Sequence, residues 1–259
     1  MWAIHGGTNM VGMDDLLPWL PFLFAVFLLA GAVKGISGMG LPTVAMALLA
    51  LRMPPAQAAS LLLLPSLLTN LQQARGAGGM GPLLRRLWPM LLAIAVATAC
   101  SGGVLAHGGQ AARLGLGAML LLYALFGLAQ WTLPPPGRHA AWLGPLCGAL
   151  TGLATGATGV FVLPAVPYLV SLRLPRESLM QALGLCFSVS TIALAAALGR
   201  HGLLDAHSLS AALLVLPPTL LGLWLGTRLR ARLPPRLFRR VFFVTLAGLG
   251  VEILWHALG

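Results

Sequence analysis

The chain has 259 residues, of which 58% are hydrophobic and only 8% charged, and its formal net charge is +11. A soluble domain carries about 25% charged residues, so the composition excludes one, and the lack of basic patches interleaved with aromatics excludes a nucleic-acid binder. Apolar runs continue to the C-terminus, which argues for an all-α polytopic membrane protein rather than a soluble domain on a single anchor.

Residues 1–15 lack a basic n-region, and Asp14 and Asp15 directly precede the first apolar run. A cleaved signal peptide is therefore not expected. The first segment spans about 16–33, with Pro18 and Pro21 near its start, where proline is tolerated. The second, 38–51, would rise only about 21 Å, short of a hydrocarbon core of about 30 Å. Lys34, Gly35, Gly38, Gly40 and Pro42 punctuate the join between the two. A lipid-facing helix would gain nothing from them, whereas irregular backbone lining a cavity or buried in protein is tolerated. The third segment, 55–74, places Ser66, Thr69 and Asn70 on nearly one face, and Pro65 is expected to kink it. Segments four and five are expected at 83–105 and 111–131.

A proline-rich linker, 132–140, then separates the halves. The second half repeats the plan at 141–155, 159–172, 178–198, 207–229 and 237–256, with the ninth segment interrupted by Pro217 and Pro218. Gly31, Gly35, Gly38, Leu48, Leu51, Arg52 and Pro54 recur as Gly152, Gly156, Gly159, Leu169, Leu172, Arg173 and Pro175, seven identities in 24 ungapped positions. Asn70 and Thr191 stand at the same offset. The organisation expected is one membrane domain over 1–259, built from a repeat half at 16–131 and a second at 141–257. Five segments in each half make the repeats inverted.

Charge sets the orientation. With ten crossings and the Arg228–Arg240 loop in the cytoplasm, Lys34, Arg75, Arg85, Arg86, Arg138, Arg173, Arg176 and six late arginines share that side. Only Arg52, Arg113 and Arg200 lie opposite. Re-entrant versions of 38–51 or 159–172 are the rival, so about 8–10 transmembrane or membrane-embedded helices are expected.

Lys34, the chain's single lysine, is the leading candidate for attracting an anion; its bland alternative is a snorkelling lysine at a helix end. Gly35, Gly38, Gly40, Gly156 and Gly159 could let backbone approach a ligand or let helices pack closely. Ser37, Ser66, Thr69, Asn70, Thr155, Thr158, Gln181 and Thr191 offer uncharged donors, with interhelical hydrogen bonding as the alternative, while Pro42 and Pro164 can bend the path. Cys100, Cys147 and Cys186 lie far apart in apolar segments and form neither a metal pattern nor a disulfide framework. No cofactor or metal is expected, and the serines have no histidine that spacing places beside them, so an intramembrane hydrolase is not the reading.

Residues 34–73, KGISGMGLPTVAMALLALRMPPAQAASLLLLPSLLTNLQQ, resemble the first signature of the TauE/SafE sulfite exporter family. Residues 152–191, GLATGATGVFVLPAVPYLVSLRLPRESLMQALGLCFSVST, resemble its second. The second copy departs from the denser glycine cluster at Gly159-Val160-Phe161. The resemblance implies a multi-pass bacterial inner-membrane transporter of small sulfur-containing anions such as sulfite. The expected function is secondary transport, in the export direction, of sulfite or an organosulfonate, with membrane lipids around it and a coupling proton or ion as driving force. No Walker motif supports a primary pump. The alternative is a non-transporting membrane scaffold, which would explain packing glycines but not repeated polar interruptions. Oligomeric state stays open.

Overall fold

The computed structural model describes residues 17–76 and 80–259. The Asp14–Asp15 pair, the start of the first expected segment and the middle of the Arg75–Pro82 loop lie outside the described residues. The described chain is all α. The first half holds α1 (Leu20–Ser37), α2 (Leu41–Leu49), α3 (Pro55–Ala74), α4 (Met80–His107) and α5 (Gln110–Ala129). The second holds α6 (Ala140–Thr158), α7 (Ala165–Ser171), α8 (Arg176–Arg200), α9 (Ala206–Leu214), α10 (Leu216–Leu229) and α11 (Pro235–Leu258).

Proline starts many of these helices. α1, α2, α3, α10 and α11 each carry one in the first turn, where the missing N–H would be unpaired anyway. α3 continues through Pro65 as one helix. Two expectations need correction, on the length of the short segments and on the end of α6. The short second and seventh segments are shorter still, nine and seven residues of helix, because glycine and extended backbone take up their first turns. The ninth segment is interrupted as expected, because Pro217 and Pro218 cannot donate into the preceding turn and the helix breaks at Val215. α6 runs on to Thr158, three residues past its expected end.

Among the described residues six stretches are long and apolar enough to cross a membrane: Leu20–Ser37, Met80–His107, Gln110–Ala129, Arg176–Arg200, Ser208–Leu229 and Pro235–Leu258. Their burial differs: 67% of the most apolar window of α8 is buried, against 33–39% in the other five. α8 is therefore central, and it packs on α3, the helix that carries Ser66, Thr69 and Asn70. The others carry a lipid-facing side, with Trp88, Trp142, Trp224 and Trp255 exposed on it. Arg228 stacks over the Trp224 ring at 3.9 Å.

Helix pairing reveals a pseudo-twofold relation. α1 packs on α10, and its repeat counterpart α6 packs on α4, the counterpart of α9–α10. Both contacts are made by glycine. A methyl built on Gly31 would lie 2.2 Å from the Thr219 carbonyl oxygen, and one on Gly152 would lie 2.9 Å from the Thr98 amide nitrogen. Thr98 and Thr219 stand at the same offset of 121 residues that separates Asn70 from Thr191. The repeat thus extends into α4 and α10, where identity is too sparse to be read from sequence.

Direction shows that the repeats are inverted. Along α3 and α8, Asn70 meets Thr191 and Gln73 meets Met180, so these equivalent helices are antiparallel. Along α5 and α11, Gln110 meets Ala257 and Tyr123 meets Phe243, again antiparallel. Two equivalent helices in antiparallel contact require an axis perpendicular to them. The same directions place Arg75, Arg138, Arg176 and Arg228 at one end of the bundle and Arg200 at the other. Lys34 near the end of α1 meets Asn70 near the end of α3, so α1 and α3 run the same way. The chain from Gly38 to Pro54 must therefore travel back along about 22 Å of α3, with α2 providing about 13 Å of that climb.

Candidate functional site

The site forms where the two broken elements meet the central pair. Gly38 and Gly159 end α1 and α6 with φ of 81° and 72°, a left-handed conformation that a side chain would strain. The amide of Gly38 donates to the Lys34 carbonyl at 2.7 Å, and that of Gly159 to the Thr155 carbonyl at 2.8 Å. Hydroxyls then tie off the break in both copies. The Met39 amide donates to Ser37 Oγ and the Val160 amide to Thr158 Oγ1, each at 3.2 Å. Ser37 Oγ donates back to the Val33 carbonyl and Thr158 Oγ1 to the Ala154 carbonyl. The nonhelical stretch Val160–Val162 is fully enclosed by protein, as irregular backbone within a membrane must be. Pro164 follows a cis peptide bond and caps α7, while Pro42 sits buried in the first turn of α2. Gly40, with φ of 99°, starts that helix.

Lys34 lies in the last turn of α1 and is only 3% exposed, which rules out the snorkelling alternative. Its Nζ donates to Thr69 Oγ1 at 3.0 Å and to Asn70 Oδ1. Thr69 can accept because its own proton goes to the Pro65 carbonyl, 2.8 Å away. Asn70, with its oxygen turned to Lys34, offers Nδ2 to Thr191 Oγ1 at 3.5 Å. Thr191 in turn donates to the Phe187 carbonyl at 2.7 Å. The chain of donors therefore has one sense, from Lys34 through Asn70 to Thr191.

Asn70 and Thr191 are repeat equivalents in contact, so the pseudo-twofold axis passes between them. Charge is not symmetric about it. The counterpart of Lys34 is Thr155, which donates to its own helix at Thr151. The counterpart of Thr69 is Ser190, whose buried hydroxyl has no partner. Ser66, one turn before Asn70 on the same face, is also buried and unpartnered. The ion pair His256–Glu252 lies at the far end of α11 and is largely exposed. Among the described residues no carboxylate is hydrogen-bonded or ion-paired to Lys34. An ammonium has three N–H donors, and two are used, both on neutral oxygens. A buried cation without a counter-ion costs several kcal/mol, and an anion placed beside it removes that cost.

The other expected residues lie elsewhere. Gly35 packs against Leu223 and Gly226 of α10, and Gly156 against Thr98 and Gly102 of α4, so both are close-approach glycines. Gln181 is ten residues before Thr191, about 15 Å along α8, and donates to the Gly76 carbonyl at 2.8 Å. Sequence reasoning passed over Thr98 and Thr219, whose common offset was the available signal, and over Gln73 and Gly184 at the α3–α8 crossing. For these two only the third dimension gives a reason.

A cavity of about 470 Å³ lies between α3, α8 and α9, and Thr191 forms one of its walls. Among the described residues no group of three or more His, Cys, Asp or Glu side chains could hold a metal ion. The profile described as Sulfite exporter TauE/SafE matches residues 23–253, nearly the whole described chain. No curated protein and no solved structure gives a match. With two inverted halves, a polar centre on their axis and that match from α1 to α11, the chain belongs to the TauE/SafE sulfite exporter family and is a membrane transport protein, not an enzyme.

Proposed function

We propose that the protein is a secondary transporter that exports a small anion, sulfite or an organosulfonate, across the bacterial inner membrane. Lys34 supplies the attraction, Asn70 and the hydroxyls of Thr69, Ser66 and Thr191 orient the substrate, and the Gly38–Gly40 and Gly159–Pro164 breaks supply backbone that can move. A coupling proton or ion drives the cycle. The observation that carries this reading is the burial of Lys34, 3% exposed, on neutral oxygens alone at the contact of the two halves. A scaffold would have no reason to keep a lone cation there, where methionine or leucine would pack at lower cost.

The sorting of arginines to one end of the bundle supports that end as cytoplasmic. The test is flux in proteoliposomes. Labelled sulfite and a short alkylsulfonate should move down an imposed gradient with the native chain and not with Lys34→Ala. Equal flux by both proteins, or none across a panel of inorganic and organic anions by well-folded native protein, would sink the proposal.

A further inference from the structure

We propose that the crossing of α3 and α8 is the gate, closed in this structure at the Arg75 end by a glutamine clasp and open at the Arg200 end through the cavity. The inference rests on the transport reading and names the moving contact within it. At the Arg75 end Gln73 Nε2 donates to the Met180 carbonyl at 3.1 Å, and Gln181 Nε2 donates to the Gly76 carbonyl at 2.8 Å. The clasp is reciprocal, each glutamine reaching from one repeat to backbone of the other. Behind it the helices touch through Gly184. A methyl built there would lie 2.5 Å from the Ala74 amide nitrogen and 2.9 Å from the Asn70 carbonyl oxygen.

The repeat offset maps this closed contact onto the other end. Gly184, Asn70 and Ala74 correspond to Leu63, Thr191 and Ala195. All three line the cavity, which runs from Thr191 towards Leu204 and Asp205 in the α8–α9 connection. One contact set is thus closed, while its equivalent borders a cavity in the same molecule. Exchanging the conformations of the two halves would open the Arg75 end and shut the Arg200 end, with Asn70 and Thr191 on the axis reached from each side in turn.

The clasp has no copy. Gln73 corresponds to Leu194, and Gln181 to Ser60, whose hydroxyl donates within its own helix to Gln57. The clasp is thus particular to the Arg75 end of the α3–α8 crossing; at the Arg200 end the halves are joined on other helices, by Arg200 donating to the Ala99 carbonyl at 3.0 Å and Gln110 to the Ala257 carbonyl.

Single cysteines report the exchange. In full-length protein with Cys100, Cys147 and Cys186 replaced, Ala195→Cys marks the cavity and Ser188→Cys the closed end; Ser188 is the equivalent of cavity-lining Leu67. A membrane-impermeant thiol reagent is applied to oriented vesicles from either face. Ala195→Cys should react from the Arg200 face, with Ser188→Cys protected from both. Adding Gln73→Ala and Gln181→Ala should raise the labelling of Ser188→Cys from the Arg75 face about tenfold and lower that of Ala195→Cys. Gly184→Ala, which wedges the crossing without touching the clasp, should shift both reporters in the same directions.

Three results would each overturn the gate: Ser188→Cys reacting from the Arg75 face as fast as Ala195→Cys does from the other in the parent with its clasp intact, Ser188→Cys staying protected in a monodisperse wedge or clasp variant, or both reporters rising together. Sulfite flux measured on the same vesicles separates the two readings. Reciprocal labelling without flux of any tested anion removes the transport reading and keeps the gate, whereas flux without reciprocal labelling removes the gate alone.

Discussion

Replacing Lys34 by methionine separates a structural lysine from a binding one. Methionine has similar length and no charge, so it leaves two acceptors, Thr69 Oγ1 and Asn70 Oδ1, without their donor. Each unpaired oxygen costs about 1–3 kcal/mol. Against this, the variant no longer buries an ammonium without a counter-ion, which relieves several kcal/mol. The two effects nearly cancel or favour the variant, so its melting temperature in detergent should match or exceed that of the native chain. Binding should behave in the opposite way. Removing one partner of a buried charge pair costs about 2–5 kcal/mol, roughly 30-fold to several thousandfold in affinity for the anion. The assays are thermal unfolding in detergent and initial flux of labelled sulfite in proteoliposomes, on the same preparations. A variant that transports normally would refute Lys34 as the anion's partner. A variant that unfolds far below the native chain would show that Lys34 holds the helices together instead.

Asn70→Asp places a carboxylate against Lys34 and supplies the missing counter-ion from within; thermal stability should rise while flux and sulfite binding fall by tenfold or more. Thr191→Val removes the acceptor of a long 3.5 Å hydrogen bond, so stability should change by less than about 1 kcal/mol while the KM for the anion rises severalfold in the flux assay. Gly31→Ala and Gly152→Ala each drive a methyl into carbonyl oxygens, at 2.2 Å from Thr219 and 2.5 Å from Ile94; both should lose about 1–3 kcal/mol in detergent unfolding, and a loss at only one of them would contradict the pseudo-twofold relation. Reporter fusions at 76–80 and 231–235 should both report the cytoplasm, and fusions on opposite sides would overturn the orientation.

Much of the fold was legible because membranes leave few options. Long apolar runs must be helices, and glycine and proline at Gly38–Pro42 and Gly159–Pro167 can only be breaks. The repeat was visible there because the breaks constrain residue type: Gly38 and Gly159 both need positive φ, and little other than glycine supplies it cheaply. Along α4 and α10 the repeat was hidden, since close packing asks only for small atoms at the right height and admits Gly102 opposite Leu223 as an equivalent pair. For the site, helical spacing put Ser66, Thr69 and Asn70 on one face, yet gave no reason for Lys34 to reach it. That contact depends on α1 and α3 running the same way, a property of the returning chain and not of either helix. Gln181 carried the same polar signal as Thr191, and only the crossing of α3 with α8 separates a clasp from a centre. The break at Val215 was legible because Pro217 and Pro218 interrupt the ninth segment.

The inversion also bears on how such a chain came to insert in the membrane. Arg52 and Arg173 occupy the same place in the two repeats, each exposed in the turn before a proline. Because the halves are upside down to one another, these matched residues face opposite compartments. Arg173 sits with the majority of basic residues, and Arg52 sits against it. The tandem chain has frozen one orientation for each copy by loading Arg75, Arg85 and Arg86 into the first half and the Arg228–Arg240 loop into the second. Severed at the 132–140 linker, each half should still carry its own instruction and insert in the sense opposite to its sibling.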